Sequence, residues 1–185
     1  MITVILLAAL VLLVIWAINI YNKLVSKRNM VEEGWSSIDV QLKRRSDLIP
    51  SLISTTKAYM QHEEGLFRNL AELRSKSMSA RLVNEQSKTE TELSRSLGQL
   101  FALAENYPDL KANQNFLHMQ QQLSELEDHI QMARRYYNGS VRNYNIQVES
   151  FPDSVIASSF SFTKRDFFEL ENLADRELPK VDYSN

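Results

Sequence analysis

The chain has 185 residues, with 21 Lys and Arg against 23 Asp and Glu, a net charge of −2 and no cysteine. Balanced charge lacks the basic footprint of a nucleic-acid-binding domain, so no nucleic acid is expected as a partner. The missing cysteines exclude disulfides, thiolate nucleophiles and cysteine-type zinc sites. With only four Gly and four Pro to break it, the chain should be mostly long helix.

The first 22 residues carry no charged side chain. Ile2 to Tyr21 would make a helix ~30 Å long, about the hydrocarbon thickness of a bilayer. No basic stretch precedes this run, it is longer than a signal-peptide core, and it ends in Trp16, Asn19 and Tyr21 rather than small residues. All three features favour a retained anchor over a cleaved signal. Lys23, Lys27 and Arg28 follow at once, and basic residues next to a span mark its cytoplasmic side. The expectation is a single-pass protein of the inner membrane, N-terminus outside and the rest in the cytoplasm.

From Val31 the apolar positions Val31, Trp35, Ile38, Leu42, Ile49, Leu52 and Tyr59 follow a 4-3 spacing interrupted by Arg45 and Thr56. This predicts a bundle-facing seam on a helix of roughly Lys27 to Met60. Pro50 lies inside it and should kink the helix or start a new segment. A second stripe of Leu66, Leu70 and Leu73 runs to about Ala80. The polar stretch Val83 to Thr89 reads as a connection or frayed end. A third helix carries Leu93, Leu97, Leu100 or Phe101, and Ala104, and stops before Pro108, where the preceding residue leaves the α region. Asp109 can help start the fourth helix. That helix is the longest, with a seam from Phe116 through Ile130, Tyr137 and Tyr144 to Val148, weakened at Gly139.

Three units follow from this pattern: an anchor over 1–22, a bundle over 23–150 and a partly irregular extension over 151–185. A short helix over 164–178 could begin at Thr163, which forms a capping-box pattern with Asp166. A first helix running unbroken to Ala80 would be ~80 Å long and could not be matched by its return strokes. A break near His62 to Gly65 gives strokes of ~50, 27, 33 and 60 Å that come back close to their starting height. The predicted fold is therefore all-α, an N-terminal transmembrane helix followed by an antiparallel up-down-up-down four-helix bundle.

Catalytic signatures fail one by one. Di-iron bundles need Glu-x-x-His, but Tyr59, Asn115 and Leu126 stand three residues before His62, His118 and His129. His62-Glu63 does not extend to HExxH, because position 66 is leucine. No phosphate-loop, dinucleotide or nucleophile-elbow pattern occurs. No catalytic residue, metal ligand or cofactor is expected, and the chain reads as non-enzymatic. Two basic clusters are candidate contacts for an anion or a partner, Lys43-Arg44-Arg45 and Arg134-Arg135. Arg45 sits on the seam, where it either snorkels outward, pairs with an acid across the bundle, or holds an anionic ligand. Arg134 and Arg135 suit the covering of a bundle face.

Several blocks resemble the LemA family of bacterial membrane proteins. They are Tyr21-Asn22, Arg28-Asn29, Trp35, the run from Ile38 to Arg45, Asp47-Leu48-Ile49-Pro50, Tyr107-Pro108, Leu110-Lys111-Ala112-Asn113, Tyr137-Asn138, Tyr144-Asn145 and Phe151-Pro152. The resemblance implies a single-pass anchor and a cytoplasmic helical bundle, with no assigned functional residue. It also implies, at the family level only, an association with membrane-bound zinc metalloproteases. The sequence thus points to a membrane-anchored scaffold that self-associates as a homo-oligomer or docks other membrane proteins. A tethered sensor binding a small anion or acidic peptide at Arg44 and Arg45 is the second reading.

Overall fold

The computed structural model describes residues 1–168. They form α1 (Ile2–Lys57), α2 (Glu64–Ser79), α3 (Val83–Ala104), α4 (Pro108–Lys111), α5 (Gln114–Glu149) and α6 (Asp153–Ser159). There is no strand among the described residues. At 1.5 Å per residue α1 is ~84 Å long. Its N-terminal stretch is long and apolar enough to cross a membrane, and none of that stretch is covered by the rest of the chain. Burial begins at Ile20 and Leu24, so one helix passes from the candidate span into the bundle without a linker.

Cross-helix pairs fix the directions. Lys27 reaches Asn143, Arg45 reaches Glu127 and Tyr59 reaches Asn113, so α5 runs antiparallel to α1 along its length. Asn69 meets Ser96 and Ser77 meets Glu90, which makes α2 and α3 antiparallel as well. The break between α1 and α2 spans residues 58–63, close to where the length arithmetic requires it.

Gly34 sets how closely α1 approaches α5. A Cβ at Gly34 would lie 3.0 Å from the Tyr137 Cα, a backbone atom that cannot move aside. A side chain here would push the two longest helices apart.

Pro50 neither ends α1 nor starts a new segment, since the helix runs on through it to Lys57. A proline inside a helix leaves the carbonyl four residues back without its amide donor. That carbonyl belongs to Ser46, which is buried, and Arg74 of α2 donates its Nε–H to it at 2.8 Å. The missing bond is thus replaced from a neighbouring helix, which pins α2 to α1.

Three other sequence expectations are corrected. Val83 to Thr89 is the first two turns of α3, not a connection, because Gln86 and Ser87 are buried against the other helices. The start of α5 is set by Asn113, whose side-chain oxygen accepts from the amides of Asn115 and Phe116, whereas Asp109 belongs to the one-turn α4. No helix starts at Thr163: residues 163–168 are irregular, and the rest of the 164–178 stretch lies outside the described residues. The helix found beyond Pro152 is α6.

Two hydrophobic clusters fill the bundle. The distal one runs from Ile49 and Leu52 through Leu70, Leu93 and Leu100 to Phe116 and Leu123. The other, at the end nearer the span, gathers Ile20, Leu24, Val31, Ile38 and Leu42 with Ile130, Tyr137, Val141 and Tyr144, and includes Ala157, Phe162 and Phe168.

Candidate functional site

Between the clusters lies a layer of polar side chains. Arg45 is 1 % exposed, at the level where the apolar seam of α1 is interrupted. Its Nη2 pairs with Glu90 Oε2 of α3, and its Nη1 donates to Glu127 Oε2 of α5 at 2.6 Å and to Ser94 Oγ at 2.8 Å. The other Glu90 oxygen accepts from Ser77 of α2 and from Gln86 Nε2 at 2.7 Å. All four long helices contribute. Glu90 is fully enclosed and has no access to water, and Arg45 is its cationic partner. A guanidinium presents a rigid fork of donors that suits several acceptors at once.

Arg134 on α5 belongs to the same electrostatic group. It is buried, and its guanidinium lies 4.7 Å from the centre of the Phe168 ring. Burial pulls its pKa down from the ordinary arginine value, the Arg45 charge adds to that, and Glu127 and Glu90 oppose it. Arginine still remains charged at neutral pH. The layer therefore holds two guanidiniums and two carboxylates, balanced within the fold.

A cleft of about 670 Å³ opens between α3 and α5 on the distal side of this layer. Leu97, Phe101 and Leu117 give it apolar walls, Gln120 and Gln121 give it polar groups, and the Arg45–Glu127 pair also lines it. It is an open groove, apolar with a few polar groups, and it gathers no catalytic set. Among the described residues no three His, Cys, Asp or Glu side chains come together as a metal site. His62, His118 and His129 are all exposed on separate turns.

At the other end the chain after α6 is strapped onto α5. Asn138 brackets Phe168, donating to its carbonyl at 3.1 Å and accepting from its amide at 2.9 Å. Asn145, two turns on, does the same to Arg165 at 2.9 Å in each direction. Tyr137 donates its hydroxyl to the Asp166 carbonyl at 2.8 Å. Burial, reinforced by the Asp166 charge, raises the Tyr137 pKa above the ordinary phenol value. Tyr137, Asn138 and Asn145 thus have a structural task, as a clasp for residues 165–168.

The candidate contacts named from sequence are scattered. Lys43 is exposed and paired with Asp47 at 3.4 Å, and Arg44 and Arg135 are exposed. Arg45 and Arg134 face inward, so neither basic cluster forms a surface patch. Lys27 reaches the Asn143 carbonyl, Arg28 lies over the Phe162 ring at 5.4 Å, and Lys23 is exposed. Sequence reading missed Glu90 and Gln86. The signal was present: the stripe Ala104, Leu100, Leu97, Leu93, continued backwards in alternating steps of three and four, lands on both.

Comparison with known proteins gives one consistent direction. The LemA family model matches residues 34–183. Magnetosome protein MamQ 2 of Paramagnetospirillum magneticum is 22% identical over 184 residues, covering 85% of this chain and 68% of the relative. Magnetosome protein MamQ of Magnetospirillum gryphiswaldense matches over the same shares at 22% identity. Protein LemA of Metamycoplasma hominis is 26% identical over 163 residues, 87% of this chain and 72% of the relative.

Proposed function

The chain belongs to the LemA family, and from that premise we propose that it is a non-enzymatic, membrane-tethered docking protein whose cytoplasmic bundle receives a partner in the α3–α5 cleft. The observation that carries this reading is where the polar chemistry lies. Arg45 and Arg134 are offset by Glu90 and Glu127 within the bundle, while an open groove with apolar walls lies between α3 and α5. A groove of this kind suits the apolar face of a helix from a second protein. Lys23, Lys27 and Arg28 after an uncharged span support the inner membrane and a cytoplasmic bundle. The second reading, a small anion or acidic peptide at Arg44 and Arg45, is less favoured because the Arg45 guanidinium already has carboxylate partners and only Arg44 faces outward.

The test is photo-crosslinking in cells from a residue placed at Gln121, with Arg44 on the exposed face of α1 as control. Adducts from Gln121 and none from Arg44 support docking in the cleft. Mass analysis then separates a second copy from another membrane protein, a metalloprotease among them. No adduct from the cleft, together with a monomeric mass in detergent by light scattering, removes the reading.

A further inference from the structure

The segment Phe151 to Phe160 lies at the height where the apolar span ends. The register of α1 on α5, with Gly34 against Tyr137 and Arg45 against Glu127, continues so that Phe151 is level with Ile20. Contacts agree: Tyr21 stacks edge-on with Phe160 at 4.9 Å and with Phe162 at 5.6 Å, and α6 packs on both α1 and α5. Ile20 is covered by the same cluster that holds Ala157 and Phe162.

This segment has a sharply two-sided character. Ser161 adopts φ 57, and the amides of Ser161 and Phe162 turn back to the carbonyls of Ser158 and Ala157. That is a Schellman turn with a left-handed residue after the helix. It sends Phe162 into the core at 7 % exposure and leaves Phe160 outside at 60 %. Phe151 at 85 % and Val155 at 53 % are outside as well. A bundle with a filled core thus leaves two phenylalanines and a valine open beside the last turn of an apolar span.

We propose that Phe151, Val155 and Phe160 form a foot that enters the interfacial layer of the bilayer beside the span, giving the protein a second, non-spanning attachment to the lipid. The occupant follows from position: a surface continuous with the end of a membrane anchor meets lipid first. Aromatic rings settle at the headgroup boundary, as Tyr21 and Trp16 are placed to do, and short amphipathic segments lie in that plane with their apolar faces buried. Charged groups at this level, Lys23, Lys27, Asp153 and the Lys164–Glu149 pair, suit a polar headgroup layer. The foot rests on the membrane-anchored reading and adds to it.

The chain has no cysteine, so single labels are clean. Phe151→Cys, Val155→Cys and Phe160→Cys, each nitroxide-labelled in the full chain in lipid nanodiscs, are compared with Leu10→Cys in the span and Ala112→Cys at the far end. The expected result is broadening by oxygen and loss of broadening by a water-soluble nickel chelate at all three positions, intermediate between Leu10 and Ala112. Chelate broadening equal to that at Ala112 overturns the foot while Leu10 still reports lipid. Protection from both reagents also overturns it, because the cover is then protein. If Leu10 itself is open to the chelate, the anchor reading fails with it. Three separately exposed positions keep the outcome readable if one label disturbs folding.

Discussion

The two ends of the bundle are built on different principles. At the end near the span α1 and α5 touch almost backbone to backbone at Gly34, and an asparagine clasp holds residues 165–168 on α5, beside a smaller cavity of about 310 Å³ lined by Trp35, Tyr137 and Asp166. The distal end has an apolar core of similar composition, yet α3 and α5 stand apart there and leave a groove. The polar layer at Arg45 is the boundary between them.

The largest expected effect comes from breaking that boundary. Arg45→Met leaves the enclosed Glu90 side chain without its guanidinium partner, and should cost about 3–5 kcal/mol. Adding Glu90→Leu should recover most of the loss, since a buried pair replaced by apolar groups is often neutral. Urea unfolding in detergent measures both. If the double variant folds but loses its crosslinks from the cleft, the layer shapes the groove as well as supporting the core.

Further substitutions then separate the halves. Arg74→Ala should strip the Ser46 carbonyl of its donor and cost about 1–3 kcal/mol, with amide exchange rising in α2. In a Pro50→Ala background the helix supplies its own amide and the same change should cost much less, which a double-mutant cycle would register. Gly34→Ala should cost about 1–3 kcal/mol through the Tyr137 backbone and loosen the α1–α5 contact. Gly139→Ala, with nothing within 4 Å of the added carbon, should instead stabilise α5 by about 1 kcal/mol.

The smallest effect is pH-dependent and confined to the clasp. The folded chain holds the Tyr137 proton more tightly than the unfolded chain does. Its contribution is intact below about pH 10 and is lost as pH rises through the raised folded value. Phenolate absorbance and proteolysis of the strap should change together in that range. Tyr137→Phe should abolish the coupling at a cost of about 1 kcal/mol.

Much of this architecture is legible in the sequence, because helical period and length decide it. The alternation from Val31 to Leu52 and from Phe116 to Val148 names the facing seams of α1 and α5. The break at 58–63 follows from stroke lengths. What escaped reading depends on partners distant in sequence. Glu90 lies on the helical stripe but, as an acid, does not announce a core position until Arg45 is seen across from it, and Pro50 resembles a helix break until Arg74 supplies its missing bond. Asn138 and Asn145 bond to backbone rather than side chains, so no pattern of residue types announces the strap. The groove is a gap between helices, and no sequence period encodes a gap.

The unbroken passage of α1 from span to bundle has a mechanical consequence. From Tyr21 to Lys57 the helix is an arm of ~54 Å. Spans lean when the surrounding bilayer thins or thickens. A lean of about 10° carries the Lys57 end sideways by ~9 Å, close to the width of one helix. Because α1 runs unbroken from the candidate span to Lys57, a lean of that span in a bilayer would be carried to the distal groove as lateral displacement.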